Sequence, residues 1–154
     1  MKYFLFYICL IAHFSSRAQI DLVVVGQWEH TISALDILEA GSDFSNTHES
    51  LSGQVTLSVL GGLGSFNWQI DVQKGNEDWH PNLQLNLKRT GNGVGLGTIA
   101  GGTAYQTIAN TAQPFILGSD NRTTVPLQYE VQGVSVTIPA KTYYTTVIFT
   151  VTEL

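Results

Sequence analysis

The residues best suited to chemistry lie close together in one stretch of the sequence. Asp71 is followed at short spacing by Glu77, Asp78, Trp79 and His80. Carboxylates beside an imidazole are groups that bind divalent cations or transfer protons in acid–base catalysis. A tryptophan in a charged loop also offers a flat apolar face on which a sugar ring stacks. This stretch is therefore the first candidate for a ligand site.

Each of these residues also has an ordinary structural interpretation. Asp71 falls on the outward face of a predicted strand, where a solvated charge is common, and no second histidine lies at a metal-ligand spacing from His80. Large aromatic side chains such as Trp79 frequently cap the end of a sandwich as part of its core, which is the favoured role here. We take Trp79, His80, Asp71 and Asp78 as the candidate ligand-binding set, and we assign no metal and no cofactor.

No pattern typical of catalysis occurs elsewhere in the chain. His30 and His48 have no recognised spacing, and no serine lies in a nucleophile-elbow context. The glycine run at residues 91–97 is not followed by a helix whose N-terminus would bind phosphate, so a flexible hairpin explains it better. We therefore expect no enzymatic activity and assign no catalytic residues.

The first residues of the chain have the three parts of an export signal. Lys2 supplies a positive charge, residues 3–14 are apolar, and small residues precede a predicted cleavage point after Ala18. The apolar run is shorter than the roughly 20 residues that span a bilayer, so we expect no membrane span after cleavage. The mature protein, residues 19–154, would then be a single domain without disulfides, because Cys9 is the only cysteine.

Charged side chains are sparse in this sequence. Only 12% of the 154 residues are charged, and the formal net charge is −5 at pH 7. Because no basic cluster is present to neutralise phosphates, nucleic acid is excluded as a partner. Low charge also gives weak repulsion between copies, which favours association. The expected partners are copies of this chain, other surface proteins or glycans.

Side chains alternate with a period of two in several short segments, as they do along β-strands. The apolar residues that share the predicted inward face are Val55, Leu57, Val59, Phe66, Trp68, Ile70, Val72, Leu83, Leu85 and Leu87. Residues 20–28 and 125–132 predict further strands. Residues 134–154 have the longest alternation of all, with a turn at residues 139–141 and a final strand from residue 142.

Glycine and proline mark the ends of most of these segments. Residues 94–99 and 105–109 predict a glycine-rich hairpin near a sheet edge, and residues 118–124 predict a polar loop. Residues 34–40 predict either a short helix or a bent loop. Eight or nine short strands with this punctuation predict an all-β protein, a two-sheet antiparallel sandwich of the immunoglobulin-like class.

The end of the chain resembles that of a known family. Residues 136–152, VTIPAKTYYTTVIFTVT, resemble the last strands of spore coat U and related fimbrial subunits. Those proteins finish with a similar proline-containing turn and a threonine-valine strand, although Lys141 replaces the usual glycine of the turn. The resemblance implies an exported immunoglobulin-like subunit that lacks one strand and polymerises when a neighbour's N-terminal strand fills the gap.

The N-terminal segment has the alternation that such a donor strand needs. Its alternate residues are Ile20, Leu22, Val24, Gly26 and Trp28. An ordinary first strand of the protein's own sandwich needs the same pattern, and that interpretation is favoured. The sequence thus predicts a secreted structural or adhesive protein of a bacterial periplasm or cell surface, a fimbrial or coat-like subunit that self-assembles. The alternative is a carbohydrate-binding sandwich that uses Trp79 and its polar neighbours.

Overall fold

The computed structural model describes residues 19–37, 39, 41–61 and 65–154. Strands account for 47% of the described residues, and the helical element among them is one 3-10 turn at Ala34–Asp36. The predicted signal peptide, residues 1–18, lies outside the described part. Within that part, no helix is both long enough and apolar enough to cross a membrane.

Ten strands occur in the described residues, and three of them have only two or three residues. Their bounds are β1 Asp21–Val25, β2 Thr47–Glu49, β3 Val55–Leu60, β4 Asn67–Lys74, β5 Gln84–Arg89, β6 Ile99–Gly101, β7 Gln106–Thr107, β8 Gln113–Ser119, β9 Arg122–Gln132 and β10 Val147–Glu153.

The strands form two antiparallel sheets that pack face to face. The six-stranded sheet has the order β1-β3-β9-β5-β7, with β2 also paired to β9, and the four-stranded sheet has the order β10-β4-β8-β6. The sandwich predicted from the sequence is confirmed. Its assignment to the immunoglobulin-like class stays a prediction.

The core between the sheets consists largely of the residues that the alternation predicted. The buried members of that set are Val55, Leu57, Val59, Trp68, Ile70, Val72, Leu85 and Leu87. Trp68 is fully buried, and its indole N–H donates to the carbonyl of Asp120 over 2.9 Å. The one polar atom of this large side chain is therefore satisfied inside the core.

The glycine-rich hairpin predicted from residues 94–99 and 105–109 is wrong. β6 pairs with β8 in the four-stranded sheet, whereas β7 pairs with β5 in the six-stranded sheet, so the two arms belong to different sheets. The loop before β6 is also anchored. The buried Arg122 donates hydrogen bonds to the carbonyls of Gly95 and Gly97, and the buried Arg89 donates to the carbonyl of Gly101 over 2.5 Å.

The polar loop predicted at residues 118–124 is also wrong. β8 ends at Ser119 and β9 begins at Arg122, so only two residues connect these strands. Asp120 makes this tight turn with a φ of 56°, a left-handed conformation that aspartate tolerates better than most residues. β8 was not predicted from the sequence because Pro114 and Gly118 interrupt its apolar run.

Residues 133–146, hereafter the strap, run from β9 to β10 without forming a strand. The strand predicted at Val134, Val136 and Ile138 is therefore wrong, and the final strand begins at Val147 rather than at residue 142. The chain leaves the sheet at Gly133, which has a φ of 87°. A side chain there would meet the carbonyl of Asn82, so glycine is required where the chain turns away.

The segment at residues 34–40 is shorter than a helix in its described part. Ala34–Asp36 form the 3-10 turn, and residues 38 and 40 lie outside the described residues. The Asp36 carboxylate accepts a hydrogen bond from the Ser33 backbone N–H over 2.7 Å, which stabilises the turn. This contact also lowers the pKa of Asp36.

Candidate functional site

The sandwich is open along the side where β1 and β10 are the edge strands of the two sheets. A groove of about 940 Å³ lies there. Val55, Leu85 and Tyr129 of the six-stranded sheet line one wall, and Val147 and Phe149 of β10 line the other. The strap contributes much of the remaining lining. The groove is large enough for a small ligand, since ligand sites typically measure about 300–1,000 Å³, and it is also open along a strand edge.

β10 is the longest of the strands that end a sheet in the described residues. It pairs with β4 on one side, from Val147 opposite Lys74 to Glu153 opposite Trp68. On its other side no strand of the described chain pairs with it. β10 contains no proline, lysine or bulge, which are the features that commonly protect an edge from pairing with another chain. Its unpaired edge therefore lacks these protections, although β1 of the same chain lies close to β10.

β1, the other edge strand, pairs with β3 of the same chain. The register places Asp21 opposite Leu60 and Val25 opposite Thr56. Its valines are far from buried, with Val23 42%, Val24 44% and Val25 61% exposed. In the isolated chain this segment thus serves as a first strand that is held mainly by one ladder. Its service as a donor strand to a neighbour stays a prediction.

Gly26 ends β1, so the strand is shorter than the predicted residues 20–28. Its φ is 107°, and a side chain there would meet the carbonyl of Gln54. Beyond it, Trp28 leaves the ladder and stacks on Tyr129, with ring centroids 6.2 Å apart and planes inclined by 11°. Burial raises the pKa of Tyr129, as expected for a phenol in the groove wall.

The N-terminal part of the strap is held by the carboxylate of Asp43. One carboxylate oxygen accepts the backbone N–H of Val136 at 2.6 Å, and the other accepts the Ser135 hydroxyl at 2.7 Å. The Ser135 hydroxyl, the Val136 amide and the Phe44 amide together lower the pKa of Asp43, since all three donate to its ionised form.

The C-terminal part of the strap is held by Glu77 and Asp78, from the loop between β4 and β5. Glu77 accepts hydrogen bonds from the Thr146 backbone N–H at 3.2 Å and the Thr145 hydroxyl at 3.1 Å. Its own amide, the strongest contributor, and these donors lower the pKa of Glu77 to about 2. Asp78 forms an ion pair with Lys141 at 2.6 Å. Two of the predicted chemical residues therefore contact the strap.

Trp79 has a structural role that the sequence anticipated. It is partly buried and packs against the core, and its indole N–H donates to the carbonyl of Leu83 over 2.7 Å. Part of the ring still lines the groove, and the amine of Lys74 lies 5.8 Å from the ring centroid. Part of the Trp79 ring thus packs against the core. Sugar stacking on the remainder stays a prediction.

The structure does not place Asp71 and His80, two of the other candidate ligand residues, in one site. Asp71 lies opposite Thr150 on the outer face of the four-stranded sheet, away from the core, and accepts a hydrogen bond from Gln69 at 2.6 Å. His80 lies on the strap side, where its ring meets Tyr143 edge-on at 5.7 Å. Asp71 is therefore separated by the sheet from the residues that border the groove.

A histidine pair in the groove was missed by sequence reasoning. Nε2 of His30 and Nδ1 of His48 are 2.9 Å apart, and Trp28 stacks on His30 with centroids at 6.2 Å. His30 follows β1 and His48 lies in β2, so no short sequence pattern predicts their contact. The described residues contain no group of three or more His, Cys, Asp or Glu side chains that could hold a metal ion.

Comparison with known proteins finds no matching family model, no matching curated protein and no matching solved structure. The resemblance of residues 136–152 to spore coat U and fimbrial subunits therefore stays a prediction. The groove and its two edge strands are the features of the molecule that bear on its function.

Proposed function

We propose that this protein is an exported structural or adhesive surface protein whose copies assemble through the open side of the sandwich. The observation that carries the proposal is the free edge of β10, seven residues long, beside a groove with apolar walls. A strand from a neighbour would pair with the β10 backbone and bury side chains beside Val147 and Phe149. The predicted signal peptide supports export to the periplasm or cell surface.

The composition supports the same proposal. A chain with 12% charged residues and a net charge of −5 opposes association only weakly. Within β10 the single charged residue is Glu153, at its end, so the middle of the edge has no charge to repel an added strand.

The proposal is tested by changing the β10 edge without changing the core. Thr150 is exposed on the outer face, so Thr150→Lys places a charge on the edge while leaving the groove walls intact. We expect the parent chain to form oligomers whose size rises with concentration in light scattering, and Thr150→Lys to remain monomeric with an unchanged melting temperature.

The matched control is Thr107→Lys, which places the same charge on the exposed β7 edge of the other sheet. This control should assemble like the parent chain. A parent chain that stays monomeric at all concentrations, or a Thr150→Lys variant that assembles normally, would refute assembly at β10.

A truncated protein that starts after Trp28 tests whether residues 20–28 act as a donor strand. Loss of assembly with retained folding would support that prediction.

Carbohydrate binding is the second candidate function, because Trp79 lines a groove of ligand size. The test is titration of the monomeric chain with a panel of oligosaccharides. Trp79→Leu keeps an apolar side chain in the packing but removes the aromatic face, so it should abolish binding. Tyr105→Leu removes an aromatic side chain outside the groove lining and should bind as the parent does. Equal binding by the Trp79→Leu variant would exclude this site.

A further inference from the structure

The strap has the sequence of a β-hairpin but not its structure. Val134, Val136 and Ile138 alternate with polar residues, residues 139–141 provide a proline-containing turn, and residues 142–146 alternate again. Nevertheless, no strand is assigned between β9 and β10. In natural sequences local preference and observed conformation usually agree, so this disagreement distinguishes the strap from the rest of the chain.

The strap amides are held by side chains and by carbonyls of turns and loops rather than by a strand ladder. The Val136 amide is bound by Asp43 and the Thr146 amide by Glu77. The Ile138 amide donates to the Ser135 carbonyl and the Tyr144 amide to the Asp78 carbonyl, both at 3.0 Å. In a β-hairpin or an extended sheet these amides would pair with the carbonyls of a neighbouring strand. The resting conformation thus depends on scattered hydrogen bonds, two of which are carboxylate contacts at exposed positions.

The strap also leaves apolar surface uncovered. Val136 is 56% exposed and Tyr144 is 60% exposed, although both have the residue types that strands favour. By contrast, Val134 at its beginning is buried, so this residue would leave its own core in an arrangement that includes it. The middle of the strap is therefore the part whose burial would improve in another arrangement.

The β10 edge of another copy is complementary to this segment. Residues 134–138 carry no charge, and β10 carries only Glu153 at its end. Five extended residues measure roughly 17 Å, which fits beside the middle of β10. Residues 142–146 lead directly into β10 of their own chain, so residues 134–138 form the arm whose outer edge is free to pair.

We propose that the strap is a latent β-hairpin arm that leaves Asp43 and Glu77 and adds residues 134–138 as a strand to the β10 edge of a second copy. This inference rests on the proposed assembly function and names the segment that carries it. Arm and acceptor edge are different surfaces, so the contact is heterologous and produces rings or filaments rather than a closed two-fold dimer.

The test is cross-linking between copies that each carry one cysteine. Cys9 is the only native cysteine, so Cys9→Ser gives a background without thiols. On this background, Thr137→Cys and Thr150→Cys are made in separate chains. Both positions are exposed and polar, and both would lie on the outer face when the apolar residues of the arm face the groove. Directly opposite residues of neighbouring strands have Cα atoms about 4.5–5.5 Å apart, which is within disulfide range.

We expect mild oxidation of the mixed chains to give a disulfide-linked heterodimer between the Thr137→Cys and Thr150→Cys variants. Its yield should exceed that of a Thr137→Cys and Thr107→Cys mixture by roughly tenfold, because pairing raises the local thiol concentration only at β10. Equal yields from the two mixtures would overturn the proposal. Predominant linkage of Thr150→Cys chains to each other would overturn it as well, since that product indicates direct pairing of two β10 edges.

A second variant tests release of the strap. Asp43→Asn weakens the contacts to Val136 and Ser135, so it should shift assembly to lower protein concentration in light scattering. Asp120→Asn makes the same chemical change at the β8–β9 turn and should leave the concentration unchanged. If Asp43→Asn has no effect on assembly, the strap is not the donor.

Failure of this inference can be separated from failure of the proposed function. Assembly that depends on Thr150 but gives no linkage through Thr137 would retain the β10 edge and reject the strap as donor. A chain that neither assembles nor cross-links would reject both.

Discussion

Hydrogen bonds from single side chains hold parts of this protein whose conformation could not be predicted from the sequence. The buried Arg122 binds the carbonyls of Gly95 and Gly97, and Arg89 binds the carbonyl of Gly101, so a glycine-rich loop is anchored by two cations from other strands. Likewise, the carboxylate of Asp43 accepts a hydrogen bond from the backbone N–H of Val136, which lies 93 residues further along the chain. Such contacts have no local sequence pattern.

Gly26 permits a residue-scale prediction about the end of β1. Gly26→Ala should lower the free energy of unfolding by about 1–3 kcal/mol, since alanine is strained at a φ of 107° and its methyl group would meet the Gln54 carbonyl. Gly41→Ala is the control, because Gly41 also has a positive φ but no atom lies within 4 Å of the added methyl group. Chemical denaturation should show the larger loss for Gly26→Ala. Equal losses would mean that backbone strain alone, without the contact, accounts for both.

At the scale of elements, the edge strands and the strap differ from the central strands in how they are held. β3, β4 and β9 each pair on both sides, and their inward residues are fully buried. β1 and β10 pair on one side, and the strap has carboxylate contacts in place of a ladder. Of the elements that border the groove, β1, β10 and the strap are therefore held by fewer backbone hydrogen bonds than β3 and β9.

The strap contacts predict a dependence on acid. Hydrogen bonding lowers the pKa of Asp43, and it lowers that of Glu77 to about 2, so both bind the strap in their ionised forms. Groups with lowered pKa values stabilise the folded state fully above their unfolded values and lose that effect as the pH falls. The Thr146 amide chemical shift should be constant above about pH 5 and should move as the pH falls toward 2, where Glu77 titrates. The Val136 amide chemical shift should move only below the usual titration range of an aspartate, because the pKa of Asp43 is lowered.

The Glu77→Gln variant distinguishes the acid transition caused by Glu77 from that caused by Asp43. It should remove most of the acid transition sensed at Thr146 and leave the transition at Val136, which Asp43 controls. Identical acid transitions at both amides in the parent chain and in the variant would contradict these assignments.

At the scale of the whole molecule, the two sheets enclose a core that is closed on most sides and open between β1 and β10. Amide hydrogen exchange should reflect this asymmetry in the monomer. The slowest amides should lie in β4 and β9, whereas only alternate amides of β10 should be protected, because one side of that strand has no partner among the described residues. Protection of consecutive β10 amides in a confirmed monomer would mean that the edge is covered. Their protection only at assembling concentrations would support strand addition.

Much of the fold followed from local pattern, while much of the candidate site did not. The inward faces of β3 and β4 were predicted because a period of two assigns each side chain to one face wherever a strand forms. The histidine pair, the Asp43 contacts and the position of Asp71 across the sheet from Trp79 depend on which strands become neighbours. Pairing between distant segments is not encoded in any short window.

The sequence by itself determined that this is a β-sandwich and which side chains of β3, β4 and β5 enter its core, since burial selects alternating apolar residues in each segment independently. Only the tertiary structure decided which alternating segment would obtain a partner. Residues 134–146 have the pattern of a strand yet remain a strap, because a strand exists only when another backbone pairs with it. Gly133 turns the chain away from β9, and within one molecule no second strand is present beyond β10 in the described residues to receive it.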